Sequence, residues 1–502
     1  MRLWPIFLAA APIAFGQYPG ATKPTAAWQT GFDSITVKDA KPFLETLAGP
    51  MFRGREPLRG DYGLAAGWLA ARLQQAGLEP AADDGTFFHR FAIQSSSVDL
   101  SKSSLLGPDS QVVVPCGWRF SVSTVVDGTQ ELPGIVFVRI PSGGSLKPDQ
   151  LKRLAGKIVL LRASPQDTGN LSQALRAASL VPYAVCTPNG RNPDSVVQSR
   201  KSTSIQGHPD PRRPVMTSLS FSDDAMSSVA KVAGAGLFES GSLSEPAVEP
   251  SNVTFKLSAK LDVTLYPSVN VVAKVSGTDP ILSKEAVVVG SHLDHLGAQS
   301  NGTYFGADDN ASGCTANFFI ARAVVLNKIR PKRSVYFAFW SSEELGLLGS
   351  YAFVQRPTVN LSDIIAYINM DMVGRDENDP RFKSVAAENG KMVYPSGVAF
   401  NSPDFLKVLF DANKQVGLTL KADVEDRIMR SDSGSFAWKQ IPTVKVFTGD
   451  HEDYHKTTDT PDKVNFEKMV NIAKWLYLTV QDLASGRARP RWQPSPFKPN
   501  PW

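Results

Sequence analysis

The 502 residues can hold two compact domains or one large domain carrying an insertion, and 42% hydrophobic with 20% charged residues excludes wholesale disorder. A formal net charge of +5 without a clustered Lys/Arg block argues against nucleic acid as a partner. Three cysteines, Cys116, Cys186 and Cys314, are too few for a disulfide scaffold, and no pair has zinc-knuckle spacing; a single Cys116–Cys186 bridge stays open.

Residues 1–16 carry one positive charge and then an apolar run ending in Ala14-Phe15-Gly16, small residues at the spacing a signal peptidase needs. Cleavage before Gln17 and a secreted or periplasmic mature protein are expected. The run is shorter than the roughly 20 residues that span a bilayer, and two prolines interrupt it. No second apolar run reaches spanning length, so no membrane contact is expected of the mature form.

Asp39 to Leu47 reads as a short helix, and Tyr62 to Ala76 as a longer amphipathic one closed by Gly77. From Leu132 to Val232 the texture changes. Strands at Ile135–Val138, Lys157–Leu161 and Tyr183–Val185 alternate with helices at Asp149–Leu154 and Leu171–Ala178, and none carries a cluster of candidate catalytic groups. This β–α–β cassette, bracketed by polar Pro- and Gly-containing stretches, reads as an inserted domain. The expected division is a signal peptide at 1–16, an N-terminal part of the main domain at 25–120, the insertion at 121–250, the main domain at 251–486 and a basic Pro-rich tail at 487–502.

From Val263 onward, buried-type strands at Ala286–Gly290, Ser334–Trp340, Ile364–Met370 and Thr443–Phe447 alternate with helices at Ala311–Leu326, Phe405–Val416 and Phe466–Leu483. Such alternation implies an α/β fold, a mostly parallel sheet covered by helices, with ligands bound beyond the carboxyl ends of the strands. Each of the four strands runs into metal-binding side chains. The first leads to His292-Leu293-Asp294-His295 and then to the loop Gly306-Ala307-Asp308-Asp309-Asn310-Ala311-Ser312-Gly313; the others lead to Glu343-Glu344, to Asp371, and to Asp453-Tyr454-His455. His and carboxylate together are a donor set zinc accepts.

Taken singly, these residues have plainer roles. Ser341-x-x-Glu344 is a capping-box pattern, and Asp308 and Asp309 suit a helix N-terminus. Collecting them all at one edge of a sheet for separate reasons is a poor explanation. Charge supports two metals over one. Two zinc dications and three carboxylates leave one positive charge, which a bridging hydroxide cancels. A rival site is His451-Glu452-Asp453-Tyr454-His455, which spells the HExxH zincin motif. That motif needs a helix, whereas here Gly449 precedes it and Thr457-Thr458-Asp459-Thr460-Pro461 follows.

With its His-x-Asp segment, Gly-Ala-Asp-Asp-Asn-Ala-Ser-Gly, Glu-Glu-x-Gly-Leu-x-Gly-Ser, Asn-x-Asp and Tyr-His followed by Asp-Thr, the chain resembles the M28 family of zinc peptidases. The resemblance implies a phosphorylase/hydrolase-like fold with a mixed central sheet. It also implies two zinc ions, with His292 and Asp371 on one, Glu344 and His455 on the other, Asp308 as the bridge, Glu343 as general base and Asp294 orienting His292. The insertion resembles a protease-associated (PA) domain through Leu154-Ala155-Gly156-Lys157-Ile158-Val159-Leu160. The implied activity is exopeptidase action on peptide substrates, with an aminopeptidase first and a carboxypeptidase or dipeptidase as the alternative. Glutaminyl cyclisation, or a receptor-like protein that has lost its ligands, fits the complete ligand set poorly. Two departures, Ser433 where many relatives carry His and the stretch Glu377 to Ala399, fall where substrate loops are expected and leave the preferred residue open.

Overall fold

A computed structural model describes residues 17–124, 126–191, 201–207, 218–241, 243–377, 389–422 and 427–494. The expected signal segment and the end of the tail lie outside them. Two compact units emerge: residues 1–92 with 267–502, and residues 93–266.

The first unit begins with α1 (Val37–Leu47), whose N-cap Thr36 side chain accepts from the Asp39 amide, and α2 (Gly60–Gln75). Its sheet includes β1 (Phe88–Val98) and β2 (Leu261–Val275), of which residues 93–98 and 261–266 count with the second unit, and β3 (Ala286–His292), β4 (Ser334–Trp340), β5 (Ile364–Met370), β6 (Met392–Ser396), β7 (Thr419–Leu420) and β8 (Thr443–Phe447). Within the ten-stranded sheet these eight follow the order β1-β2-β4-β3-β5-β8-β6-β7. β4, β3, β5 and β8 are mutually parallel, and β2 and β6 close this block antiparallel on either side. The four parallel strands are those read from the sequence, because unbroken β-branched and aromatic runs bury both faces. β1 and the long β2, whose alternating polar residues hide the strand signal, were not expected.

Helices cover both faces. α3 (Gly313–Leu326) and α7 (Phe466–Ala484) pack with α1 and α2 against Val287, Val289, Phe337, Phe339 and Ile368 in one continuous core. On the other face α4 (Leu348–Gln355) and α6 (Ser433–Trp438) bring Phe353 and Phe436 onto Trp340 and Tyr367; the Tyr367 and Phe436 rings stack with centroids 3.8 Å apart. α5 (Pro403–Asn413) packs on α7.

The second unit holds the expected cassette: parallel strands Ile135–Arg139, Ile158–Arg162 and Ala184–Cys186, with the helix Pro165–Ala177 starting six residues before its expected Leu171. Pro165 is a favoured first helical residue and Ser164 caps it, a start signal stronger than the apolar spacing. The unit is wider than 121–250 because Lys256–Ala259 pairs with Ser104–Leu106 and with Gly128–Glu131, drawing in chain from both sides. All three cysteines are free, so no Cys116–Cys186 bridge forms. No helix among the described residues is long and apolar enough to cross a membrane.

Candidate metal centre

The carboxyl ends of β3, β4, β5 and β8 supply the site, as their parallel register requires. His292 is the last residue of β3, and its Nε2 lies 3.3 Å from Asp309 Oδ1 and 3.3 Å from Asp371 Oδ1. Asp371 immediately follows β5. The second oxygen of Asp309 lies 3.1 Å from His455 Nε2, which is itself 3.2 Å from Glu344 Oε2. Asp309 therefore faces His292 with one oxygen and His455 with the other. The sequence reading put Asp308 in that bridging place, and the geometry gives it to Asp309.

The cause is the shape of the loop. Residues Ala307–Ser312 form a wide helical turn in which Asp309 (φ −104°, ψ 91°) and Asn310 (φ −131°, ψ 42°) leave helical geometry. This turns Asp309 towards the imidazoles. Asp308 instead accepts from the Gly374 amide at 2.6 Å, and its other oxygen lies 3.3 Å from His451 Nε2. Asp459 holds the turn by accepting from both the Asp308 and Asp309 amides at 3.1 Å. Gly306 must be glycine here: its φ is +56°, and a Cβ would fall 2.0 Å from the Asp309 carbonyl and 2.5 Å from the His295 ring.

Asp294 acts on the site in two ways. Its backbone carbonyl lies 3.2 Å from His292 Nδ1 and can accept that N–H, while its buried carboxylate accepts from the amides of Glu343 and Glu344 at 3.0 and 3.2 Å. The expected orienting role thus passes through the main chain, and the side chain fixes the Glu343–Glu344 turn. Burial pushes the Asp294 carboxyl up to about 6.

Three groups carry roles that the sequence reading did not assign, although His295 stood among the metal-binding side chains after the first strand. His295 is buried, with Nδ1 2.7 Å from Glu344 Oε1. Lys445, within the buried strand β8, places Nζ 2.9 Å from Asp371 Oδ2. Arg55, 1% exposed, is satisfied wholly by carbonyls: it donates to Leu47, Leu293, Phe305 and Gly306, tying the His292 and Asp309 loops together. A strand-internal Lys, a second His after His292 and an Arg in the turn Met51-Phe52-Arg53-Gly54-Arg55 were the available signals.

Burial alone would lower the His292 imidazole and raise the Asp309 carboxyl. Instead Glu343, Asp309 and Asp371 push His292 well up, and His295, His292 and His455 hold Asp309 well down. For Glu343 burial dominates and, with Glu344 and Asp371 nearby, pushes the carboxyl well above its usual range. Buried acids and imidazoles at such separations suit a divalent cation. His292, Asp309 and Asp371 converge as one donor group, and His295, Asp309 and Glu344 as another. The His451–His455 stretch is a series of turns, and its two histidines face different aspartates, His451 towards Asp308 and His455 towards Asp309. An HExxH helix is therefore excluded.

A metal-adapted cluster at the carboxyl edge of a mixed α/β sheet defines the class of protein. Residues 270–480 match the model of peptidase family M28. The chain is similar to leupeptin-inactivating enzyme 1 of Streptomyces exfoliatus, at 29% identity over 39% of this chain and 38% of the relative. It is also similar to a probable leucine aminopeptidase 2 of Aspergillus oryzae, at 30% identity over 36% of this chain and 33% of the relative. It therefore spans well under half the length of both curated relatives in these alignments. An aminopeptidase structure from Aneurinibacillus sp. strain AM-1 shares the fold, with a TM-score of 0.50 and 19% identity over 94% of this chain and 99% of that one.

Proposed function

We propose that the protein is an exported, zinc-dependent aminopeptidase holding two metal ions. The observation that carries this reading is Asp309, whose two oxygens face His292 and His455 at 3.3 and 3.1 Å. A bridging carboxylate between two imidazoles is what a pair of cations roughly 3.5–4 Å apart needs. His292 and Asp371 would complete one position, and Glu344 and His455 the other. The aminopeptidase activity named for a similar protein supports the choice of bond, and the His and carboxylate donor set supports zinc.

When bound, the metal pair supplies an acidified water and a positive field for a tetrahedral oxyanion. The chain's own residues do the rest. Glu343 sits beside the donor groups with its backbone pinned by Asp294, and it takes the proton from the attacking water and returns it to the leaving amine. Asp294, Asp459 and Arg55 keep the ligand loops in place. Export rests on the apolar N-terminal run ending in Ala14-Phe15-Gly16.

The test uses an aminoacyl anilide and its N-acetylated counterpart. Chelation should abolish cleavage of the free-amine substrate, zinc should restore it, and the acetylated substrate should be turned over at least roughly a hundredfold more slowly because a blocked amine leaves its acceptor unpaired. Full activity after chelation refutes the metal reading. Equal rates on both substrates refute the aminopeptidase reading alone.

A further inference from the structure

The two terminal carboxylates of the site have unlike partners on their outer oxygens. Glu344 Oε1 meets the His295 imidazole at 2.7 Å, whereas Asp371 Oδ2 meets the Lys445 ammonium at 2.9 Å. Lys445 is only 6% exposed, in a strand whose five residues are all buried, paired with Asn369 on β5 and Ser396 on β6. A buried ammonium is costly unless paired, so its placement against one ligand oxygen is a specific feature. The Phe447 ring, two residues on and on the same side of the strand, steadies it with its centroid 5.0 Å from Nζ.

We infer that Lys445 is a positioning residue that restricts Asp371 to one-oxygen ligation and makes the His292–Asp309–Asp371 position the more weakly binding of the two. This rests on the two-metal reading above. Two physical effects act together. The ammonium occupies Oδ2, leaving Oδ1 alone to face His292 and Asp309. It also sets a permanent positive charge one carboxylate's width from the cation, where a neutral partner would leave the ligand more basic. At the other position the His295 imidazole, rather than an ammonium, takes the corresponding place on the outer oxygen of Glu344.

Full-length protein loaded with zinc is equilibrated against a graded series of zinc buffers, and metal per chain is counted. The wild type should lose its zinc in two separated steps. Lys445→Met should move the weaker step to roughly tenfold or more lower free zinc and leave the tighter step in place, by the scale on which groups contacting a ligand act. Lys445→Arg, which keeps the charge, should follow the wild type. An unmoved weaker step in Lys445→Met, with only a lower melting temperature, assigns Lys445 a structural role and overturns the proposal, as does an equal shift of both steps. Should Lys445→Met fail to fold, Lys445→Leu removes both the charge and the donor to Asp371 and is read the same way. A wild type that retains no zinc refutes the two-metal reading itself, whereas two retained ions with an unmoved step refute only the role of Lys445.

Discussion

Replacing Asp309 with Asn isolates the bridging position, because its neighbour Asp308 provides a matched control of identical chemistry one residue away. Asp309→Asn keeps the size of the side chain but removes the charge shared by His292 and His455 at 3.3 and 3.1 Å. Two dications would then face two carboxylates instead of three. Removing one partner from a buried charge cluster costs about 3–5 kcal/mol, or roughly 10²-fold to 4 × 10³-fold in affinity. Metal content after equilibration in buffered zinc should therefore fall below two per chain, with activity falling alongside. Asp308→Asn retains an oxygen able to accept from the Gly374 amide, now 2.6 Å away, and alters only the contact with His451. Its expected loss is about tenfold to a hundredfold at most, as for other groups that support a ligand from outside. Metal analysis by mass spectrometry and anilide hydrolysis on the same preparations provide both readings. Loss of metal in Asp308→Asn with retention in Asp309→Asn would refute the assignment.

Glu343→Gln should cut kcat by roughly 10²–10⁴-fold while zinc content stays unchanged; Glu452→Gln, at an exposed position of a turn, should leave both near wild type. Asp83 accepts two hydrogen bonds from Arg356, which, against partial burial and with help from the Arg90 amide, hold its carboxyl down to about 2 from an ordinary 3.8. Because the folded value lies below the unfolded one, the pair stabilises fully above about pH 4, and the contribution disappears as pH falls through about 2. Asp83→Asn should therefore cost about 0.5–1 kcal/mol at neutral pH, since Arg356 is largely exposed and solvent screens the pair, with the difference from wild type vanishing in acid denaturation curves near pH 2. Burial pushes the Cys116 and Cys186 thiols up to about 12, so a thiol reagent should react slowly with the native protein and count three thiols after denaturation. A count of one would reveal a bridge.

The sequence by itself determined the catalytic frame. The bounds of β4, β5 and β8 are those the apolar runs imply, since strands buried on both faces must be continuously apolar. Those strand ends carry His292, Glu344, Asp371 and His455, and a parallel block forces its carboxyl ends to one edge, so the convergence of these four was readable before any coordinates. Asp308 and Asp309 are chemically identical and adjacent, so only the backbone dihedrals of the loop could decide which one turns inward. His295 stood among the metal-binding side chains, but its contact, like the roles of Lys445 and Arg55, was out of reach. The partners of a buried His, Lys or Arg lie across the fold: Leu293, Phe305 and Gly306 on Arg55, Asp371 on Lys445, and Glu344 on His295. Periodicity along a chain reports which face of an element is buried, but the contacts that tune a charged group are set by residues distant in sequence, and those only the tertiary structure decided.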